Sequence, residues 1–390
     1  MVSVFRTLAV LGAFLFAVNT AAAQDKIRIG LIYTLSGPAA VLGQQSKKAF
    51  ELAVKDLGGK MGGKEVELFT VDDGLSPANG ILKVKELLER DHVDIVVGPI
   101  FSNVLGAIHK PVMDAGKILI STNAGSSAFA GAACNPNFFV TSYQNDQIFE
   151  TLGKIANNKG YKRVFAMVPN YRAGKDALAG FKRTYKGKLV AEELVPLKGI
   201  DFQSELSKLV SLKPDALFTF MPGGLGITLI KQYNQAGLKG KVPVISAFTA
   251  DEATLPALGA AAEGIYGALT WAPNMDNPQN KKFVAEYEAA YKAIPASYAM
   301  QAYDAAMLIN SAAVALKGDF SNTKAVSAEI RKANFKSLRG AFKFNVNGYP
   351  IQNFYLTKVA KRPDGKFETE IVEKVLSDNA DAYAKNCKLR

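Results

Sequence analysis

The chain has 390 residues, of which 48% are apolar, 21% charged and 10% aromatic, enough for a large core and, at roughly 100–200 residues per domain, for two domains. No block of like charges is present, and the balanced composition excludes a disordered, collagen-like or polytopic membrane chain. Lys and Arg number 47 against 35 Asp and Glu, a net charge of +12 that suits an anionic partner; the basic residues are scattered rather than clustered among aromatics, which argues against nucleic acid.

Arg6 is the only charge in the first 24 residues, and an apolar run at 8–18 follows it, ending in Ala21-Ala22-Ala23. A short basic region, a brief apolar core and an A-x-A site predict a signal peptide over 1–23, cleaved after Ala23, with the mature chain exported to the periplasm. No later stretch approaches the roughly 20 apolar residues of a membrane helix.

Along the mature chain, β-branched runs alternate with segments of helical period. Strands are predicted at 27–33, 66–71, 93–97, 118–121, 138–141, 164–168, 189–193, 216–220, 242–246 and 265–269. Helices are predicted at 45–57, 78–90, 147–158, 175–185, 202–212, 226–236, 278–293 and 298–316. This alternation predicts an α/β fold with parallel sheets, and ten or so strands suit two sheets in two lobes better than one. Near the end, runs at 341–346 and 354–360 flank Asn347-Gly348, a hairpin signal.

Catalytic and cofactor motifs fail on context. Gly58 to Lys64 has phosphate-loop spacing, but Glu65 stands where a Ser or Thr should hold magnesium, and a helix precedes it with a strand after; the segment reads as a helix stop and turn. Gly224-Leu225-Gly226 follows a strand, yet Leu229 occupies the third small position of a dinucleotide loop. His92 and His109 lack metal-ligand spacing and read as surface or packing residues, so neither metal nor cofactor is expected. Asp72 and Asp73 point to opposite faces and read as turn and helix-capping acids. Ser126 lacks a nucleophile elbow and a triad partner, so no enzyme is expected. Cys134 and Cys387 are the only cysteines; export invites a bridge between them, but spacing leaves two free thiols equally open.

Binding is better supported. In parallel α/β sheets ligands sit beyond the C-terminal strand ends, and the loops there are residues 34–38, 98–103, 121–126, 170–174, 220–224 and 247–249. The first three are rich in small hydroxyl, amide and glycine residues suited to an oxyanion; the last three are more aromatic and apolar.

Ile29-Gly30-Leu31 running into Leu35-Ser36-Gly37-Pro38, then Val96 to Pro99, Ser142-Tyr143-Gln144-Asn145-Asp146, Ala262-Glu263-Gly264 and the stretch 278–303 resemble the type I periplasmic solute-binding proteins of ABC importers, in the leucine/isoleucine/valine-binding branch. The resemblance covers nearly all of the mature chain. It implies two Rossmann-like lobes joined by three hinge strands, lobe I being 24–142 with 272–348 and lobe II 143–271 with 349–390. It also implies a monomer that closes on a ligand and docks on a membrane permease. By the same resemblance, to aromatic-acid-binding relatives, Cys134 and Cys387 are bridged.

Carried over position by position, Ser102 receives the ligand carboxylate, assisted by Asn103, and Asn123, Ala124 and Gly125 form the next carboxylate-contacting loop. Ser36 belongs to the first loop, and Leu42 replaces the tyrosine that follows it in amino-acid binders. Phe101, Tyr143, Tyr171, Phe220, Pro222 and Phe248 supply the walls. The glutamate that pairs with an α-ammonium is replaced near Ala247 or Phe248, and a buried ammonium without a counter-charge would cost several kcal/mol. The expected ligand is therefore a small aromatic or hydrophobic carboxylate. The alternatives are a branched-chain or other amino acid, with Asp251 or Glu252 serving the amine if that loop is shifted by a turn, or a ligand-sensing receptor relative.

Overall fold

A computed structural model describes residues 26–198 and 201–389; the expected signal peptide lies outside them. The chain opens with β1 (Lys26–Tyr33), α1 (Ala40–Asp56), β2 (Lys60–Met61), β3 (Lys64–Asp72), α2 (Pro77–Lys85), β4 (Ile95–Val97), α3 (Ser102–Asp114), β5 (Ile118–Ser121) and β6 (Phe138–Val140). These strands form a six-stranded sheet in the order β2-β3-β1-β4-β5-β6. Gly58, Gly59, Gly62 and Gly63 all have positive φ and turn α1 into the β2–β3 hairpin, which is why that glycine run cradles no phosphate. β4, β5 and β6 are buried along their whole lengths, as parallel strands covered by helices on both faces must be.

The second sheet follows through α4 (Asn145–Asn158), β7 (Arg163–Pro169), α5 (Arg172–Thr184), β8 (Lys188–Val195), α6 (Gln203–Leu212), β9 (Ala216–Thr219), α7 (Gly224–Gln235), β10 (Val244–Ser246), α8 (Leu255–Leu258) and β11 (Tyr266–Leu269). The chain then forms α9 (Pro278–Tyr291), α10 (Ser297–Ala315) and α11 (Thr323–Arg331) before β12 (Lys343–Phe344), β13 (Pro350–Lys361) and β14 (Phe367–Asn379). The sheet order is β12-β13-β11-β10-β9-β7-β8, with β14 on β13. α9 and α10 return to the first sheet: Gln45 on α1 accepts from the Tyr287 hydroxyl at 2.9 Å and from the Ala296 N–H at 3.1 Å.

The parallel part of each sheet has the same winding. β3-β1-β4-β5-β6 and β8-β7-β9-β10-β11 both run 2-1-3-4-5 in order of appearance, so each reverses direction beside its first strand. The crevice at such a reversal is where open α/β sheets bind ligands, and the two crevices face each other.

The chain passes from β6 of the first sheet to α4 through 141–144 and returns from β11 through 270–277, while the turn at 345–349 lies against β6, the Gly348 carbonyl accepting from the Val140 N–H at 2.9 Å. The first of these segments meets β13 at Arg339, which is 8% exposed. Its guanidinium donates to the Thr141 carbonyl at 2.7 Å, the Ser142 carbonyl at 3.1 Å and Gln352 Oε1 at 2.7 Å, and it pairs with Asp304 of α10 at 3.1 Å. Trp271, in the second crossing, donates to Asn280 Oδ1 at 2.7 Å, and Asn280 donates in turn to the Pro273 and Met275 carbonyls.

Cys134 and Cys387 are bridged, their Cα atoms 5.7 Å apart, so the tail beyond β14 is fastened to the loop before β6. On the way Asp381 accepts from Asn347 at 3.0 Å, and the Tyr383 hydroxyl donates to Asp146 at 2.8 Å. His109 is a packing residue, stacked on Phe129 at 3.9 Å, and burial holds its pKa down near 4; His92 is exposed. Asp72 and Asp73 are turn acids. Asp72 accepts from the N–H groups of Leu35 and Gly74, and Asp73 accepts from the Thr34 hydroxyl and the Leu75 N–H. Capping α2 falls to Ser76 instead.

Replacing one partner of a buried ion pair leaves an uncompensated charge, at a cost of about 3–5 kcal/mol. Arg339→Ala should therefore lower the melting temperature far more than neutralising an exposed pair such as Lys110–Asp114, measured by calorimetry on both variants.

Candidate functional site

Between the two switch points lies a small cavity. Ile100, Phe101 and Ser102 reach it from the β4 loop and the start of α3, Asn123 and Ala124 from the β5 loop, and Leu42 from α1. From the other lobe come Tyr171 and Ala173 after β7, Phe220 and Pro222 after β9, and Phe248 after β10. Tyr143 in the first crossing, Asn145 and Phe149 of α4, and Tyr298 of α10 complete the lining.

Ten of the thirteen expected ligand residues thus meet there: Leu42, Phe101, Ser102, Asn123, Ala124, Tyr143, Tyr171, Phe220, Pro222 and Phe248. Three do not. Ser36 lines a separate outer chamber at the cleft mouth. Asn103 lies one residue along α3 and outside the lining, its Oδ1 buried without a partner among the described residues. Gly125 is needed for close approach: a Cβ there would come 1.8 Å from the Tyr143 carbonyl. Its N–H donates to Asn145 Oδ1 at 3.0 Å, not to the cavity. The Asn123 side chain is likewise engaged, donating to the Ile100 carbonyl at 2.7 Å and accepting from the Tyr143 hydroxyl at 3.1 Å.

Ile100 and Ala173 lie in the expected strand-end loops without having been singled out as ligand residues, whereas Asn145, Phe149 and Tyr298 line the cavity from outside those loops. Phe149 and Tyr298 lie within helices, where the helical period marks them only as core. Asn145 was legible within the Ser-Tyr-Gln-Asn-Asp run, but nothing in one sequence says which of those polar residues turns inward.

The walls are a box of rings. Tyr143 stacks on Phe248 with centroids 5.3 Å apart, Phe220 meets Phe248 edge-on at 6.2 Å, and Tyr171 lies 6.1 Å from Phe101 across the cleft. Burial pushes the Tyr143, Tyr171 and Tyr298 phenols upward in pKa, so all three remain neutral. Phe248 has a φ of 58°, a conformation costing a bulky residue about 1–3 kcal/mol, and its packing against Tyr143, Phe220 and Tyr298 offsets that cost.

Among the described residues, none that lines the cavity is charged. The polar end is Ser102, 3% exposed, at the first position of the 13-residue α3. The unsatisfied N–H groups and positive dipole end of that helix face an anion favourably. Asp251 and Glu252 stay outside the lining: Asp251 borders a small separate cavity behind Phe248, and Glu252 accepts from the N–H and hydroxyl of Thr369.

Comparison with known proteins agrees with this architecture. The periplasmic binding protein family matches residues 26–366. The chain belongs to that family. It is 29% identical over 380 residues to Leu/Ile/Val-binding protein homolog 6 of Brucella melitensis, covering 94% of this chain and 95% of that protein. Among solved structures it resembles the ABC transporter solute-binding protein of R. palustris in complex with benzoate, with TM-score 0.89, 33% identity, and 93% and 100% of the two chains covered. A solute-binding protein of Rhodopseudomonas palustris BisB5, in complex with 3,4-dihydroxybenzoic acid, matches with TM-score 0.85 and 29% identity over 92% of this chain and 99% of that one.

Burial pushes the Asp251 carboxyl up to about 6, and burial followed by the neighbouring Asp251 pushes Glu252 up to about 8. Both exceed their unfolded values near 4, so between about pH 4 and 8 the folded periplasmic binding protein holds more protons than the unfolded chain, and stability falls as pH rises. Glu252→Gln should flatten that decline and melt higher than wild type at pH 8, as thermal melts across this range will measure.

Proposed function

We propose that this chain is an exported, monomeric solute-binding component of an ABC importer that captures a small aromatic carboxylate and delivers it to a membrane permease. In this reading the signal peptide is cleaved after Ala23 and the protein works in the periplasm. Residues 24–142 with 272–348 form one lobe and 143–271 with 349–390 the other, and the protein binds its ligand unchanged rather than as an enzyme.

The observation that carries the reading is an aromatic box with no charged lining and a helix N-terminus at one end. An α-ammonium would enter without a counter-ion, at a cost of several kcal/mol, whereas a flat ring stacks on the walls and its carboxylate meets Ser102 and the start of α3. The benzoate and dihydroxybenzoate named for the solved relatives fit that chemistry. The net charge of +12 adds long-range attraction for an anion, screened by salt.

A ligand that binds only the native state raises the melting temperature. After unfolding and refolding to remove carried-over ligand, benzoate and 4-hydroxybenzoate should shift the melt while leucine and isoleucine do not; the opposite pattern overturns the reading. Ser102→Ala removes one hydrogen bond to a charge, worth about 1.5–3 kcal/mol, and calorimetric titration should show benzoate affinity falling accordingly.

A further inference from the structure

A polar chain runs from the second lobe through Asn145 to Ser102. Asp176, on α5, is 5% exposed and does not line the cavity. Its Oδ1 accepts from the Ser127 hydroxyl at 2.7 Å, and its Oδ2 accepts from the Ser127 N–H at 3.1 Å and from Asn145 Nδ2 at 2.9 Å. Asn145 Nδ2 also donates to Ser102 Oγ at 3.2 Å, while Asn145 Oδ1 accepts from the Gly125 N–H. Ser127 follows β5 of the first lobe and α5 belongs to the second, so the Asp176–Ser127 pair spans the cleft.

The donor and acceptor roles are forced. An N–H from Gly125 must meet an oxygen, and a carboxylate from Asp176 must meet a donor, so the Asn145 amide has one orientation. Both Nδ2 hydrogens are then committed, one to Asp176 and one to Ser102. With one lone pair of its oxygen accepting from Asn145, Ser102 keeps its proton to donate and a single lone pair to accept.

We propose that Asp176 is a positioning residue which, through Asn145, makes Ser102 a hydrogen-bond donor to the cavity and couples that alignment to lobe closure through Ser127. The proposal rests on Ser102 meeting the ligand carboxylate. It deepens that reading by assigning the preference for a carboxylate over its isosteric carboxamide: a carboxylate offers only acceptors to the Ser102 proton and the helix N–H groups, whereas an amide NH2 must turn to the one lone pair Asn145 leaves on Ser102.

The test compares benzoate with benzamide by calorimetry and measures benzoate release by stopped flow, on folded wild type, Ser127→Ala, Asn145→Ala and Asp176→Ala. Asn145→Ala frees the second lone pair of the Ser102 hydroxyl and lets it turn as an acceptor, so the benzoate-to-benzamide preference should narrow roughly tenfold. Ser127→Ala should speed release with the preference intact, and Asp176→Ala should do both. Equal losses for the two ligands in Asn145→Ala, or an unchanged preference in folded Asp176→Ala, overturn the proposal. If wild type binds leucine instead of benzoate, the aromatic reading fails, and leucine against leucinamide puts the same question to the same variants. Wild type binding neither carboxylate overturns both.

Discussion

The closed arrangement depends on one buried cation. Arg339 sits where the 141–144 segment meets β13, and its guanidinium supplies donors to the carbonyls of residues 141 and 142 and to the Gln352 side chain. Crossing segments are irregular backbone in the interior, where unpaired carbonyls are expensive. A planar, permanently charged fork can satisfy several at once, provided a carboxylate offsets its own desolvation. Asp304 does so, and Asp304 is itself held by the Leu338 N–H and the Ser337 hydroxyl. Because Asp304 lies on α10, the hinge is anchored to the same helix that presents Tyr298 to the cavity. Hinge geometry and cavity geometry are therefore not independent.

Against that anchor, the two sheets repeat one winding, and repetition has a consequence for chemistry. Each switch point opens a crevice at the C-terminal strand ends, so opposing lobes bring helix N-termini and short loops together with no long excursions. One lobe contributes the hydroxyl and the start of α3; the other contributes rings. An anion recognised by dipoles and hydroxyls, with no lysine or arginine in the lining, avoids a second buried charge and its desolvation cost. The distance between lobes matters more in such a site, since neutral donors act only at contact.

Most of this was legible because fully buried parallel strands leave short β-branched runs, and because ligand loops in such sheets occupy known ends. Each of the ten strands expected from those runs has a counterpart within a few residues. What escaped has physical reasons. α3 carries Gly106 and Pro111, which blur a helical period, although its first residue was placed from the loop before it. β14 alternates Glu, Lys and Asp with apolar residues along a partly exposed edge, so it lacks the apolar run of a central strand. Within the site, Asn123 and Gly125 are expected to contact a ligand carboxylate, but their polar groups face protein partners. Sequence shows that a donor exists; only packing shows what it has already bonded.

Selectivity in this cavity also works by what Phe248 conceals. A phenylalanine in the left-handed region is unfavourable on its own, yet here its ring stacks on Tyr143 and packs against Tyr298. Behind it Asp251 and Glu252 are buried, and their raised pKa values mean that burial opposes their ionised forms. Had either carboxylate faced the cavity, it would have repelled an anionic ligand and welcomed an amine. The strained backbone at 248 presents an aromatic surface to the cavity, with Asp251 bordering a separate small cavity beyond it and Glu252 bonded to Thr369. The cost of one unfavourable φ is small beside that of a bare carboxylate opposite a bound one in a water-poor site.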